Sequence, residues 1–195
     1  MGKYTLVVWI SLFVIVMSYM INFDNQNSEM IYMKCSNNKE YRVRNIVDKE
    51  KAVELIGSIH DKLNKTCEVL MTKYPDDERV IRLNEKFKNT ILCETNDTDN
   101  TTSYSINKGE KIVLCIRNKK THELVDENVL LFVSLHELSH IMTLSVGHTE
   151  EFWNNFKFVL ENAQSEKIYK CIDYLKNPQE YCGITVNNTP LVCSV

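Results

Sequence analysis

Three histidines and one glutamate carry the most chemical information in this sequence. They stand between Leu135 and Trp153, which reads LHELSHIMTLSVGHTEEFW. His136 and His140 are four residues apart, so on a helix they stack on one face about 6 Å from each other, a separation that suits two imidazoles on one metal ion. Glu137 points about 100° around from His136, near enough to reach a water on the metal without closing the coordination sphere. Val129, Phe132 and Val133 fall on the histidine side, and Leu131, Leu135, Leu138 and Met142 on the other. A helix apolar all round is a buried helix, and titratable groups inside it are costly unless something partners them. Metal coordination is such a partner.

A catalytic zinc site takes three protein ligands and leaves a fourth position open. Gly147 suits the end of the helix, and His148 can come back to the metal from the loop. Thr149 then caps a further helix with Glu150 and Glu151 in its first turn, where the helix dipole favours acids. Phe152, Trp153, Phe156, Val159 and Leu160 give that helix an apolar face that can clamp behind His148. His148 is the expected third ligand, and Glu161 or Glu166 is the alternative. The metzincin extension is excluded, because Thr143 and Val146 stand where its Gly and third His belong. His60 and His122 read as packing or solvent residues.

The elements that must position this stretch read as α+β. Asp48 to about Lys73 has Val53, Ile56, Ile59, Leu63, Cys67 and Leu70 at helical spacing. Tyr74 and Pro75 stop it, and Asp76 or Asp77 caps a second helix carrying Val80, Ile81 and Leu83. Thr90 to Cys93 is a strand candidate. Ser103 to Ile106 and Lys111 to Ile116 flank Asn107, Lys108, Gly109 and Glu110, the composition of a hairpin turn. The metal-site helix opens at Asp126 or Asn128 and runs to about Val146.

The 195 residues carry a formal net charge of -3, so there is no basic surplus to grip a phosphate backbone, and direct nucleic-acid binding is not expected. Five Gly and three Pro rule out collagen-like and low-complexity classes. Tyr4 to Ile21 has no charged residue and is just long enough for a transmembrane helix, with no small-x-small cleavage pattern after it. A membrane anchor over 1–21, a polar stalk over 22–39 and a globular domain over 40–195 follow. The seven Cys form no CxxC pair. Cys67 and Cys115 sit at core positions, so reduced, buried thiols are expected, with the domain on the reducing side of a membrane of virus or host cell. The NxS/T triplets at Asn64, Asn96, Asn100 and Asn187 read as a by-product of an Asn-rich composition.

HELSH, seven residues, then His with an acidic pair and Phe-Trp resembles the WLM, or Wss1-like, zinc metallopeptidases, and more loosely the SprT group. The resemblance is strongest over Ser103 to Ala163, and the whole chain is similar to small membrane-anchored WLM-type proteins of large DNA viruses. It implies a zincin-like fold with a small mixed sheet on a buried HExxH helix, one zinc ion on His136, His140 and His148, and Glu137 as catalytic base. Well-studied members clear proteins crosslinked to DNA. This chain departs from them in its amino-terminal span and in lacking a basic patch or long tail, so that role is not carried over. The expected activity is hydrolysis of peptide bonds in a protein or peptide substrate, with Tyr104, Arg117 or Tyr181 as candidate donors to the oxyanion. The rival is a membrane-tethered scaffold that keeps zinc as a structural staple.

Overall fold

The computed structural model describes residues 8–19, 29–98 and 101–193. Its centre is a five-stranded mixed sheet. β1 (Met30–Lys34) and β2 (Glu40–Arg44) form an antiparallel hairpin. β3 (Ile91–Glu94) lies parallel to β2 and to β5 (Lys111–Leu114), and β4 (Tyr104–Ile106) closes the far edge antiparallel to β5. A second hairpin, β6 (Gln179–Tyr181) with β7 (Ile184–Val186), turns on Cys182 and Gly183. Both turn residues have positive φ, 48° and 83°, the geometry that a two-residue hairpin needs to match strand twist.

The helices follow from apolar spacing and caps. α1 covers residues 8–19, α2 Lys49–Lys73, α3 Glu78–Phe87, α4 Glu127–Met142 and α5 Glu150–Ser165. α2 buries Val53, Ile56, Ile59, Leu63, Cys67 and Leu70, one stripe at helical spacing, against the sheet and the other helices. Each such fully buried aliphatic side chain is worth about 1.5–3 kcal/mol, and Leu63→Ala would cost about 2–5 kcal/mol. The Asp77 side chain accepts the Arg79 N–H to start α3, and Asp126 accepts those of Asn128 and Val129 to start α4. α4 packs against α2, α3 and α5 and touches β4 and β6, which is why it is apolar on every side. Ser134 and Ser139, inside it, satisfy their hydroxyls on the carbonyls of Leu130 and Leu135.

Three expectations change. Residues 29–39 of the expected stalk run as strand and turn within the sheet, while 22–28 lie outside the described residues. α4 ends at Met142 instead of Val146, because Thr143 turns to extended backbone and Lys108 takes the carbonyls of Thr143, Leu144 and Ser145. Two disulfides are present, Cys115–Cys182 and Cys171–Cys193, so the expectation of reduced cysteines, and the reducing-side placement built on it, lose their basis. Chain folding brings together cysteines 67 and 22 residues apart, which spacing alone does not reveal. Cys35, Cys67 and Cys93 are buried thiols. Among the described residues no helix is long and apolar enough to cross a membrane, and residues 4–7 and 20–21 of the expected span lie outside them. Within α1, large apolar side chains from Val8 to Tyr19 are exposed.

Candidate metal centre

α4 places His136 and His140 on one face, and the loop after it delivers His148. The Nε2 atoms of His140 and His148 lie 3.2 and 2.9 Å from Nε2 of His136. Donor atoms of the three rings all fall within 4.8 Å of one another. A zinc ion with bonds of about 2.0–2.1 Å in tetrahedral geometry holds its nitrogen ligands about 3.4 Å apart, so the triad needs only small movements to accept one. Hydrogen bonds do not account for the cluster. His136 Nε2 has either one lone pair or one proton, yet two like nitrogens face it. Burial, and then the neighbouring imidazoles, push His136 down to about 3 and His140 to about 4, which keeps their rings neutral. Neutral nitrogens with converging lone pairs are the donor set of a divalent metal.

The loop that carries His148 is built from both ends. Gly147 supplies φ of 82°, and the Thr149 side chain accepts the Phe152 N–H to cap α5. The Glu151 carboxylate accepts the N–H groups of Leu144 and Ser145, and these bonds pull it down to about 2. Asn155, buried on α5, donates to the Thr143 hydroxyl and accepts from Arg79. Phe152 stacks on His140 at 4.2 Å between centroids and meets His136 edge-on at 4.7 Å. Phe156 closes on His136 at 5.2 Å. The clamp by α5 expected from sequence is therefore aromatic and direct.

Glu137 is buried beside the triad, and burial raises it to about 7 although the hydroxyl and backbone of Ser105 hydrogen-bond to it. Ser105 belongs to β4, so the sheet edge and the helix meet at this carboxylate. Tyr181 lies in the same wall, its hydroxyl 2.5 Å from that of Ser103, which in turn accepts the Cys115 N–H. Histidines, Glu137, Tyr104 and Tyr181 all line one cavity of about 700 Å³.

Other candidates are elsewhere. Glu166 pairs with Lys73 at 2.7 Å and Glu161 with Lys157 at 3.8 Å, neither in the triad. Arg117 is buried in ion pairs with Glu94 at 2.7 Å and Asp48 at 2.6 Å, which removes it as an oxyanion donor. His60 is a packing residue, its Nδ1 2.9 Å from the Tyr41 hydroxyl, and His122 is exposed on a loop. Ser103, Ser105 and Lys108 are site residues that sequence reasoning missed. The hairpin signal over Ser103 to Ile116 and the candidate Tyr104 pointed to that region without naming these side chains.

Fold and site together define an α+β domain organised around a histidine triad, two of its members on a buried helix and the third on the loop that follows. The chain belongs to the WLM domain family, whose model matches residues 48–189. It is 34% identical over 165 residues to "Uncharacterized protein R325" of Acanthamoeba polyphaga mimivirus, covering 82% of this chain and 84% of that protein. It is 37% identical over 95 residues to "Uncharacterized protein 136R" of Invertebrate iridescent virus 6, covering 47% and 51% respectively. The fold is similar to the crystal structure of Wss1 from Saccharomyces cerevisiae, with a TM-score of 0.50 and 23% identity over 64% of this chain and 87% of that one. The chain is thus a WLM-type protein similar to those of large DNA viruses.

Proposed function

We propose that this protein is a zinc-dependent metallopeptidase with His136, His140 and His148 as ligands and Glu137 as general base. The observation that carries the reading is the convergence of three imidazole nitrogens beside a buried carboxylate in one cavity. A zinc ion held there would supply Lewis acidity, lowering the pKa of water toward 7 and polarising the scissile carbonyl. Glu137 takes the proton of the attacking water and passes it to the leaving amine. Its burial beside the triad puts the carboxylate where it can do both. Ser105 holds Glu137 in place, and Tyr181 or Tyr104 offers a hydroxyl to the developing oxyanion. β4 is a sheet edge lining the cavity, along which an extended peptide can pair.

The exposed apolar helix over residues 8–19 supports a membrane tether formed by residues 4–21. Partition of the full chain into the detergent phase, lost on deleting residues 1–21, tests it. The catalytic reading is tested with the full-length protein in detergent, measuring bound zinc and cleavage of an unfolded protein beside Glu137→Gln. One zinc per chain with cleavage only in the unsubstituted protein is expected. Equal cleavage in both removes the peptidase reading, and stoichiometric zinc without cleavage identifies a scaffold.

A further inference from the structure

The cavity extends beyond the groups needed for hydrolysis. One helical turn toward the amino end of α4 from His136 and Glu137 stand Phe132 and Val133, both on the cavity wall. Phe156 lies against Phe132 at 5.2 Å between centroids. Across from α4 the wall is the β6–β7 hairpin, with Ile184 and Val186 on one face of β7. None of these five side chains carries a charge or a hydrogen-bonding group, and Thr185, Asn187 and Asn188 on the same hairpin wall are polar but uncharged, so a charged substrate side chain entering here would find no ion-pair partner on this wall.

The hairpin that makes this wall is fixed covalently. Cys182, in its turn, is joined to Cys115 just after β5, and Cys171–Cys193 ties the two ends of the surrounding segment. A wall held in this way is formed before substrate arrives, so little ordering opposes binding.

We propose that this end of the cavity is a side-chain pocket selecting a bulky apolar residue, Leu, Met, Phe or Tyr, beside the scissile bond of an unfolded polypeptide. The disulfide-held hairpin is its outer wall. The inference rests on the peptidase reading above and names the substrate feature which that site selects. Val133 and Ile184 are the specificity-determining positions: Val133 sets the depth of the pocket from the helix side, and Ile184 closes it from the hairpin.

The test uses the full-length, zinc-loaded protein in detergent and a mixture of denatured, alkylated proteins, with new termini mapped by mass spectrometry. One fixed position beside the cut is expected to be enriched about tenfold in the four bulky residues. Val133→Trp, which fills the pocket, shifts that position to Gly, Ala and Ser, and Ile184→Asn lowers the enrichment. Cleavage by the unsubstituted protein without enrichment on either side of the cut overturns the pocket and leaves the peptidase reading standing. Unchanged preference in both variants also overturns it, and Ile184→Asn decides alone if Val133→Trp does not fold. Cleavage no greater than that of Glu137→Gln ends both readings together.

Discussion

Glu151 accepts the backbone N–H of Leu144 at 2.8 Å with one carboxylate oxygen, and that of Ser145 at 3.0 Å with the other. An acid in the first turn of α5 thereby closes the loop that delivers His148. The bonds hold Glu151 near 2, well below its ordinary 4.5. A depressed carboxyl contributes stability that is complete above its unfolded value and is lost as pH falls through the folded one. Glu151→Gln should therefore lower the melting temperature at pH 7, with the gap to the parent closing between about pH 4.5 and 2. Zinc affinity at pH 7 should drop about tenfold, read by competition with a chromophoric chelator. Unaltered affinity would show that the loop holds His148 without this carboxylate.

Glu137 gives the opposite sign. Burial raises it from 4.5 to about 7, so in zinc-free protein the folded state binds the proton more tightly than the unfolded chain does. Its ionised form then opposes folding, fully above pH 7 and not at all below about 4.5. The shift corresponds to about 3 kcal/mol. Urea unfolding in EDTA should find Glu137→Gln more stable than the parent by about that amount at pH 8. At pH 4 the two should agree. No difference at pH 8 would place the carboxylate in water.

Arg117 and Glu94 are 4% and 1% exposed, and Asp48 completes the group from the start of α2. Arg117→Leu strands the Glu94 charge inside the domain and should cost about 3–5 kcal/mol. The double variant Arg117→Leu, Glu94→Leu should recover part of that loss, since removing both charges also removes their desolvation. Additive losses would mean that the two side chains act independently.

His148 lies on an exposed loop, so His148→Ala should leave the zinc-free protein within about 0.5 kcal/mol of the parent. The same change should abolish the rise in melting temperature caused by zinc, because two imidazoles alone hold the ion weakly. A full zinc-induced rise in this variant would exclude His148 from the ligand set.

Alkylation of the folded protein followed by mass spectrometry should find Cys115, Cys171, Cys182 and Cys193 unmodified until reductant is added. Cys35, Cys67 and Cys93, being buried, should react only after unfolding. Joint replacement of Cys115 and Cys182 by Ser should cost about 2–4 kcal/mol. Seven reactive thiols in unfolded, unreduced protein would restore the reduced reading.

Local patterns were legible where a single helix or turn determined them. His136, His140, Glu137 and His148 follow from helical spacing and one glycine turn, and the aromatic clamp follows from the amphipathic face of α5. The β4–β5 hairpin is written in Asn107, Lys108 and Gly109. β1–β2 was missed because MIYMK and EYRVR mix charge with apolar residues, as a strand near a sheet edge does, and because the polar turn between them reads like linker. β6–β7 was missed because its turn is Cys-Gly, whose first residue gives no hint of positive φ. The disulfides, Ser105 beside Glu137 and the buried Arg117 are tertiary facts. Serine and arginine are too common to announce such roles, and the chain must fold before their partners exist.

Lys108 sits in the β4–β5 turn and grips the carbonyls of Thr143, Leu144 and Ser145, just beyond the helix that bears His136 and His140. The strand offered to a substrate backbone and the helix that would cut it are thus latched by one ammonium group. Alignment between strand and helix is set by a side chain that is neither an imidazole of the triad nor its neighbouring acid, and error in that alignment would show as misplaced chemistry before any sign of unfolding.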